Sequence, residues 1–159
     1  MNSNTSSWMN EEHVLLRDSV RRLLAAELVP NIERWREVGI VEQAFWDKMG
    51  EAGLLAASIP QEYGGAGGST AFDAVILYEQ ARTGDTSWGF AVHNIVTHYV
   101  VACGTEDQKR RWLPKLASGQ WVGAIAMSES GLLVLLVSVR LFVVQIIRIR
   151  ELPIENALH

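Results

Sequence analysis

Five glycines, Gly39, Gly53, Gly84, Gly104 and Gly119, punctuate the first 120 residues, and each follows a run whose apolar residues recur at helical spacing. Val14, Leu15, Val20, Leu23, Leu24, Leu28 and Ile32 keep roughly one stripe after Asn10, a suitable N-cap, with Glu11 and Glu12 at the positive end of the helix dipole. Pro30 must kink or divide this helix, and Ile32 and Trp35 carry the stripe on to about residue 38. A second helix fits 42–52, with Phe45, Trp46 and Met49 as its apolar set. Ser69 or Thr70 caps a third, running to about residue 82, on which Glu79 reads as an outward acid. Asp85 or Thr86 opens a fourth, ending at Cys103. Thr105 with Gln108 makes a capping box for a fifth over 105–117, in which Pro114 predicts a kink or a broken turn. Residues 122–127 read as a short buried strand. The expected class is mainly α, with helices packed around one core and a strand only at the end.

Composition narrows the function. A chain of 159 residues, 48% hydrophobic and 20% charged, has the makings of one soluble domain. Its net charge of −4 argues against nucleic acid, and the basic run Lys109-Arg110-Arg111 falls inside a helix, where a solvated face accounts for it. The single cysteine, Cys103, cannot form an internal disulfide and lies in an apolar run, which predicts a buried, inert thiol in a reducing compartment. Residues 1–13 show neither an apolar signal core nor a basic presequence, so the expected location is cytoplasmic. His93 and His98 stand five apart with no acid between them, a poor spacing for a metal pair on one helix face; no metal site is assigned. Gly64, Gly65, Gly67 and Gly68 form a turn without the Gly-Lys-Ser/Thr or GxGxxG pattern of a phosphate cradle.

Three groups of residues are more specific. Glu62-Tyr63-Gly64-Gly65-Ala66-Gly67-Gly68 follows Gly53-Leu54-Leu55. Gly104-Thr105-Glu106-Asp107-Gln108-Lys109 precedes Trp112-Leu113-Pro114. Leu116-Ala117-Ser118-Gly119 leads into Gly123-Ala124-Ile125-Ala126-Met127-Ser128-Glu129. In this order and spacing, from about residue 11 to 131, the chain resembles the N-terminal part of the acyl-CoA dehydrogenase family, its long-chain-type branch above all. The resemblance implies the family's helical domain over 1–121 and the start of its central β-domain over 122–131. It implies FAD, held with help from a neighbouring subunit of a homotetramer, and α,β-desaturation of acyl-CoA thioesters. In that reaction a glutamate takes the α-proton while a β-hydride passes to the flavin. On the family pattern Ile125 and Met127 face the flavin ring, Ser128 offers its hydroxyl to the flavin edge, and Ala91, Val92 and Ile95 wall the acyl channel.

After Glu129 the family continues with Pro, a Gly-rich turn and Ser-Asp, whereas here Ser130 and Gly131 lead into Leu132-Leu133-Val134-Leu135-Leu136-Val137. All thirteen glycines lie at or before Gly131, and 132–159 also lacks Lys and Asp, which marks it as a non-family apolar tail from a shifted frame or an alternative end. Residues 132–147 hold 13 apolar side chains in 16. A spanning helix needs about 20, and an Arg near the middle, here Arg140, costs about 2.5–3.5 kcal/mol on insertion; a membrane span is not expected. The family's catalytic glutamate belongs to parts that follow, so no catalytic residue is assigned. The expected protein is an inactive N-terminal fragment of a dehydrogenase; the alternative is a non-catalytic helical interaction module or a frameshifted product.

Overall fold

The Asn10 side chain accepts the His13 amide at 3.0 Å, and the His13 ring takes the Asn10 amide at 3.3 Å, so two amides that a helix start leaves free are satisfied reciprocally. From there the computed structural model, which describes residues 8–125, runs as six α-helices joined by short turns, apart from a long link over 52–69. They are α1 (Glu11–Glu27), α2 (Ile32–Val38), α3 (Gln43–Glu51), α4 (Thr70–Arg82), α5 (Phe90–Cys103) and α6 (Glu106–Ala117). Pro30 divides the first stripe as expected: α1 gives way to a 3₁₀ turn, Val29–Asn31, and α2 restarts directly after it.

One helix departs from expectation at its start, and another keeps its expected length across a proline. Pro114 lies inside α6, and the helix continues to Ala117. Leu113 and Leu116 are fully buried on either side of the proline, and that burial outweighs one missing backbone bond. Neither Asp85 nor Thr86 begins α5. The Asp85 carboxylate instead accepts the amides of Ser87 at 2.9 Å and Trp88 at 3.1 Å, folding the chain into a bend that delays the helix to Phe90. Burial opposes a charge on Asp85, but the donors from Ser87, Trp88 and Gln80 outweigh it and hold the carboxyl below its usual range. The Thr105 capping box forms as read, with the Gln108 side chain accepting the Thr105 amide at 2.9 Å. Among the described residues no strand forms; 122–125 leave α6 without one, and the remainder of the expected strand lies outside the described residues.

The core has two parts. In the first, Leu24 of α1, Trp35 of α2, Phe45, Trp46 and Met49 of α3 and Ile76 of α4 close around Trp88 and Phe90. Its aromatic rings meet mainly edge to face, Trp35–Phe45 at 4.9 Å and Phe45–Trp88 at 5.4 Å, the geometry the ring quadrupoles favour. In the second, Val96 and Val100 of α5 pack with Leu113, Leu116 and Ala117 of α6. The apolar stretch between α3 and the glycine turn partitions them: Leu54, Leu55 and Ala57 join the first, Ala56 and Ile59 the second. It is a shared wall, which is why a run too short for a helix is so apolar.

The glycine turn folds back onto this wall. The amides of Gly65, Ala66, Gly67 and Gly68 donate to Pro60, Ala56, Ile59 and Ala57 at 2.9–3.2 Å. A Cβ on Gly65 would lie 2.1 Å from the Ile59 carbonyl oxygen, so only glycine permits the approach. The amides that could cradle a phosphate are already spent.

Candidate functional site

The polar residues of α5, His93, Asn94, Thr97 and His98, do not gather on one face opposite its apolar ones, so its sequence does not say which face turns inward. Packing against α6 and the first core decides it. His93, Val96, Thr97 and Val100 point in and are buried. Ala91, Val92, Ile95 and Tyr99 form an outward strip, with Val92 41% and Ile95 45% exposed. Ala91, Val92 and Ile95 are therefore brought together on one accessible apolar face. Cys103 ends the same strip and is exposed, correcting the expectation of a buried thiol: about three full turns from Val92, at about 100° per residue, return it to the outer face.

Ile125 is half-buried against the second core. Met127 and Ser128 lie outside the described residues. Of the three residues assigned to a flavin wall only Ile125 lies among the described residues, partly exposed beside the second core. The amides of Gly65, Ala66, Gly67 and Gly68 are all donated to the shared wall, so this turn offers none of them to a ligand.

Polar clusters were the part that sequence spacing missed. Glu79 is not an outward acid. Its side chain is 2% exposed, and Arg21 of α1 grips both carboxylate oxygens, each at 2.9 Å. Ser58, Asp73 and His98 also meet, from the shared wall, α4 and α5. A nucleophile relay needs the imidazole to take the hydroxyl on one nitrogen and the carboxylate on the other. Here the same atom, His98 Nε2, lies 3.1 Å from Ser58 Oγ and 3.0 Å from Asp73 Oδ2, while Ser58 itself donates to that Asp73 oxygen. The cluster staples three segments, without the two-sided imidazole a relay needs. Among the described residues no three His, Cys, Asp or Glu side chains converge to hold a metal, and no helix is long and apolar enough to cross a membrane.

His93 is wholly buried, and its Nδ1 accepts the Gly123 amide at 3.1 Å. Burial pushes its pKa down from 6.5 to about 4. The unfolded chain therefore takes up this proton first as pH falls. The stability held by neutral His93 is complete above pH 6.5 and is lost on descending toward pH 4. The full loss is about 3 kcal/mol, at 1.36 kcal/mol per pKa unit. Urea unfolding between pH 7 and pH 4 is expected to show this decline, and a His93→Phe chain to lack it.

Comparison with known proteins gives this geometry a setting. Residues 10–120 match the family model described as acyl-CoA dehydrogenase, N-terminal domain. The long-chain specific acyl-CoA dehydrogenase of Rattus norvegicus mitochondria is 38% identical over 123 residues, covering 77% of this chain and 29% of that protein. The isovaleryl-CoA dehydrogenase of Bos taurus mitochondria is 34% identical over 126 residues, 76% of this chain and 29% of that protein. An acyl-CoA dehydrogenase structure from Geobacillus kaustophilus superposes with a TM-score of 0.75 at 38% identity, covering 80% of this chain and 34% of its own. The chain thus spans under a third of the length of these curated relatives.

Proposed function

Because the chain belongs to the acyl-CoA dehydrogenase family by its N-terminal domain, we propose that it supplies the acyl-chain wall of a flavin-dependent desaturase of acyl-CoA thioesters. The observation that carries this reading is the outward apolar strip of α5, where Ala91, Val92, Ile95 and Tyr99 leave a face that an alkyl chain can cover. Desolvating an acyl chain there excludes water from its neighbourhood and holds the thioester end in register; FAD, when bound, supplies the hydride acceptor.

On this reading residues 1–121 are the helical domain, 122–131 lead into a β-domain in which Met127 and Ser128 face the flavin, and 132–159 form a separate apolar tail. The 159 residues by themselves carry out no desaturation. A general base must be free to reach the α-proton. The buried carboxylates of the described residues are each tied to the helical body: Asp73 through Oδ2 by Ser58 and His98, Glu79 by Arg21, Asp85 by its own turn.

Hydrogen exchange on the purified chain tests both parts. Long-chain acyl-CoA is expected to slow exchange across α5, free CoA to leave it unchanged, and a dye-reduction assay with added FAD to show no turnover. Equal exchange with acyl-CoA and CoA would sink the acyl-wall reading and favour a helical module whose strip meets a protein surface. Dye reduction would overturn the claim of inactivity.

A further inference from the structure

We infer that His93 is a positioning residue: its neutral imidazole, through Nδ1, fixes the path on which the chain leaves the helical body at Gly123 toward Ile125. Its bearing on the flavin wall rests on the proposed function; the clamp itself does not.

The geometry begins with proton placement. Nδ1 accepts the Gly123 amide at 3.1 Å, so the ring proton must sit on Nε2. The backbone of Leu116 acts on the ring against the effect of burial, but among the described residues no group meets Nε2 in full hydrogen-bonding geometry. The ring is also fully buried, with Trp46 of α3 packed against it at 5.4 Å. A buried imidazole with one orphaned N–H is a poor core residue, and a phenyl ring would fill the same space without that penalty. What a phenyl ring cannot do is accept an amide. The Gly123 bond is the one hydrogen bond this side chain makes in full geometry among the described residues.

Gly123 is held at a second point on the same helix. A Cβ there would lie 2.8 Å from Val96 Cβ and within 3.1 Å of both Val96 methyls, so the backbone lies flat on α5. His93 and Val96 are three residues apart and share one helix face. One sets the direction of the departing chain, the other its depth. Two residues earlier the chain is tied to α6: the Trp121 amide donates to the Lys115 carbonyl at 3.0 Å, and the Lys115 ammonium sits 4.6 Å from the Trp121 ring centre. Trp121 on α6 and Gly123 on α5 thus form a two-point clamp. Ile125 follows two residues beyond Gly123, beside the second core.

The test uses the full chain and NMR. In the wild type, ¹⁵N shifts of the His93 ring are expected to report the Nε2–H tautomer at neutral pH. His93→Phe should accelerate Gly123 amide exchange at least about tenfold while core amides such as that of Leu24 keep their rates. His93→Asn, which restores an acceptor near the Nδ1 position, should recover most of the protection. A purely structural role would not distinguish Asn from Phe in this way. If His93→Phe does not fold, the wild-type tautomer decides: a proton on Nδ1 overturns the inference, as does an unchanged Gly123 rate in a folded His93→Phe chain. None of these measurements involves flavin or acyl-CoA, so loss of the acyl-wall reading and loss of the clamp are separately visible.

Discussion

Replacing Arg21 by Met is expected to destabilise this protein by about 3 kcal/mol, the low end of the range for breaking a buried ion pair. The cost does not come from the arginine. Arg21 is 44% exposed on its side chain and would be well solvated without its partner, whereas Glu79 is 2% exposed and cannot reach water. Without Arg21, the remaining cation near the carboxylate is Arg82, at 4.0 Å and half-exposed, which softens the loss without replacing a bidentate grip. The pair also joins α1 to α4, elements that pack along their length, so the unpaired charge would sit in a helix–helix interface. Changing both residues, Arg21→Met with Glu79→Leu, should recover most of the stability, because no buried charge is then left over. Denaturant midpoints for the two single variants and the double variant measure this as a cycle. If Arg21→Met alone cost under about 1 kcal/mol, the pair would behave like a surface salt bridge.

The misreading of Glu79 shows where sequence reasoning reaches its limit. Caps are local: Asn10 and Thr105 announce themselves because donor and acceptor lie three residues apart. Arg21 and Glu79 are separated by 58 positions, and Ser58 and His98 by 40, so neither pairing leaves a spacing to detect. A glutamate amid Ile76, Leu77 and Tyr78 was the available clue, since a charge kept on an apolar face usually has a partner. α5 failed differently. A helix that is apolar along most of its length, with His93 and Thr97 buried, carries a weak face signal, so Cys103 could not be assigned inward or outward until α6 was in place. The family motifs were legible because they are runs of neighbouring residues, and the acyl-wall candidates turned out to share one exposed strip. The flavin-wall candidates were named from the same motif, but two of the three lie outside the described residues.

Gly39 and Gly119 look alike in sequence, each a glycine just past a helix, yet Gly119→Ala is expected to cost about 4 kcal/mol and Gly39→Ala only about 1 kcal/mol. Both adopt the left-handed conformation, with φ of 78° and 79°, so both substitutions meet the same backbone strain. The difference is what a methyl group would touch. At Gly39 nothing lies within 4 Å, while at Gly119 the new Cβ would fall 2.3 Å from the Trp46 carbonyl oxygen and 2.6 Å from its carbon. These are backbone atoms of α3 and cannot swing aside as a side-chain tip would. The neighbouring residue is equally close, since a Cβ on Gly50 would lie 2.3 Å from the Ser118 carbonyl oxygen. The Gln43 side chain adds a 2.7 Å hydrogen bond to the Gly119 carbonyl. Here α3 and the end of α6 meet main chain to main chain, and relieving the overlap at Gly119 means parting them. That would also unseat Trp46 from His93 and shift the chain four residues before Gly123. Gly119→Ala should therefore lower the unfolding midpoint and speed Gly123 amide exchange together, while Gly39→Ala shifts the midpoint slightly and leaves Gly123 alone. Equal losses for the two variants would mean that backbone strain, not the α3–α6 approach, sets the cost.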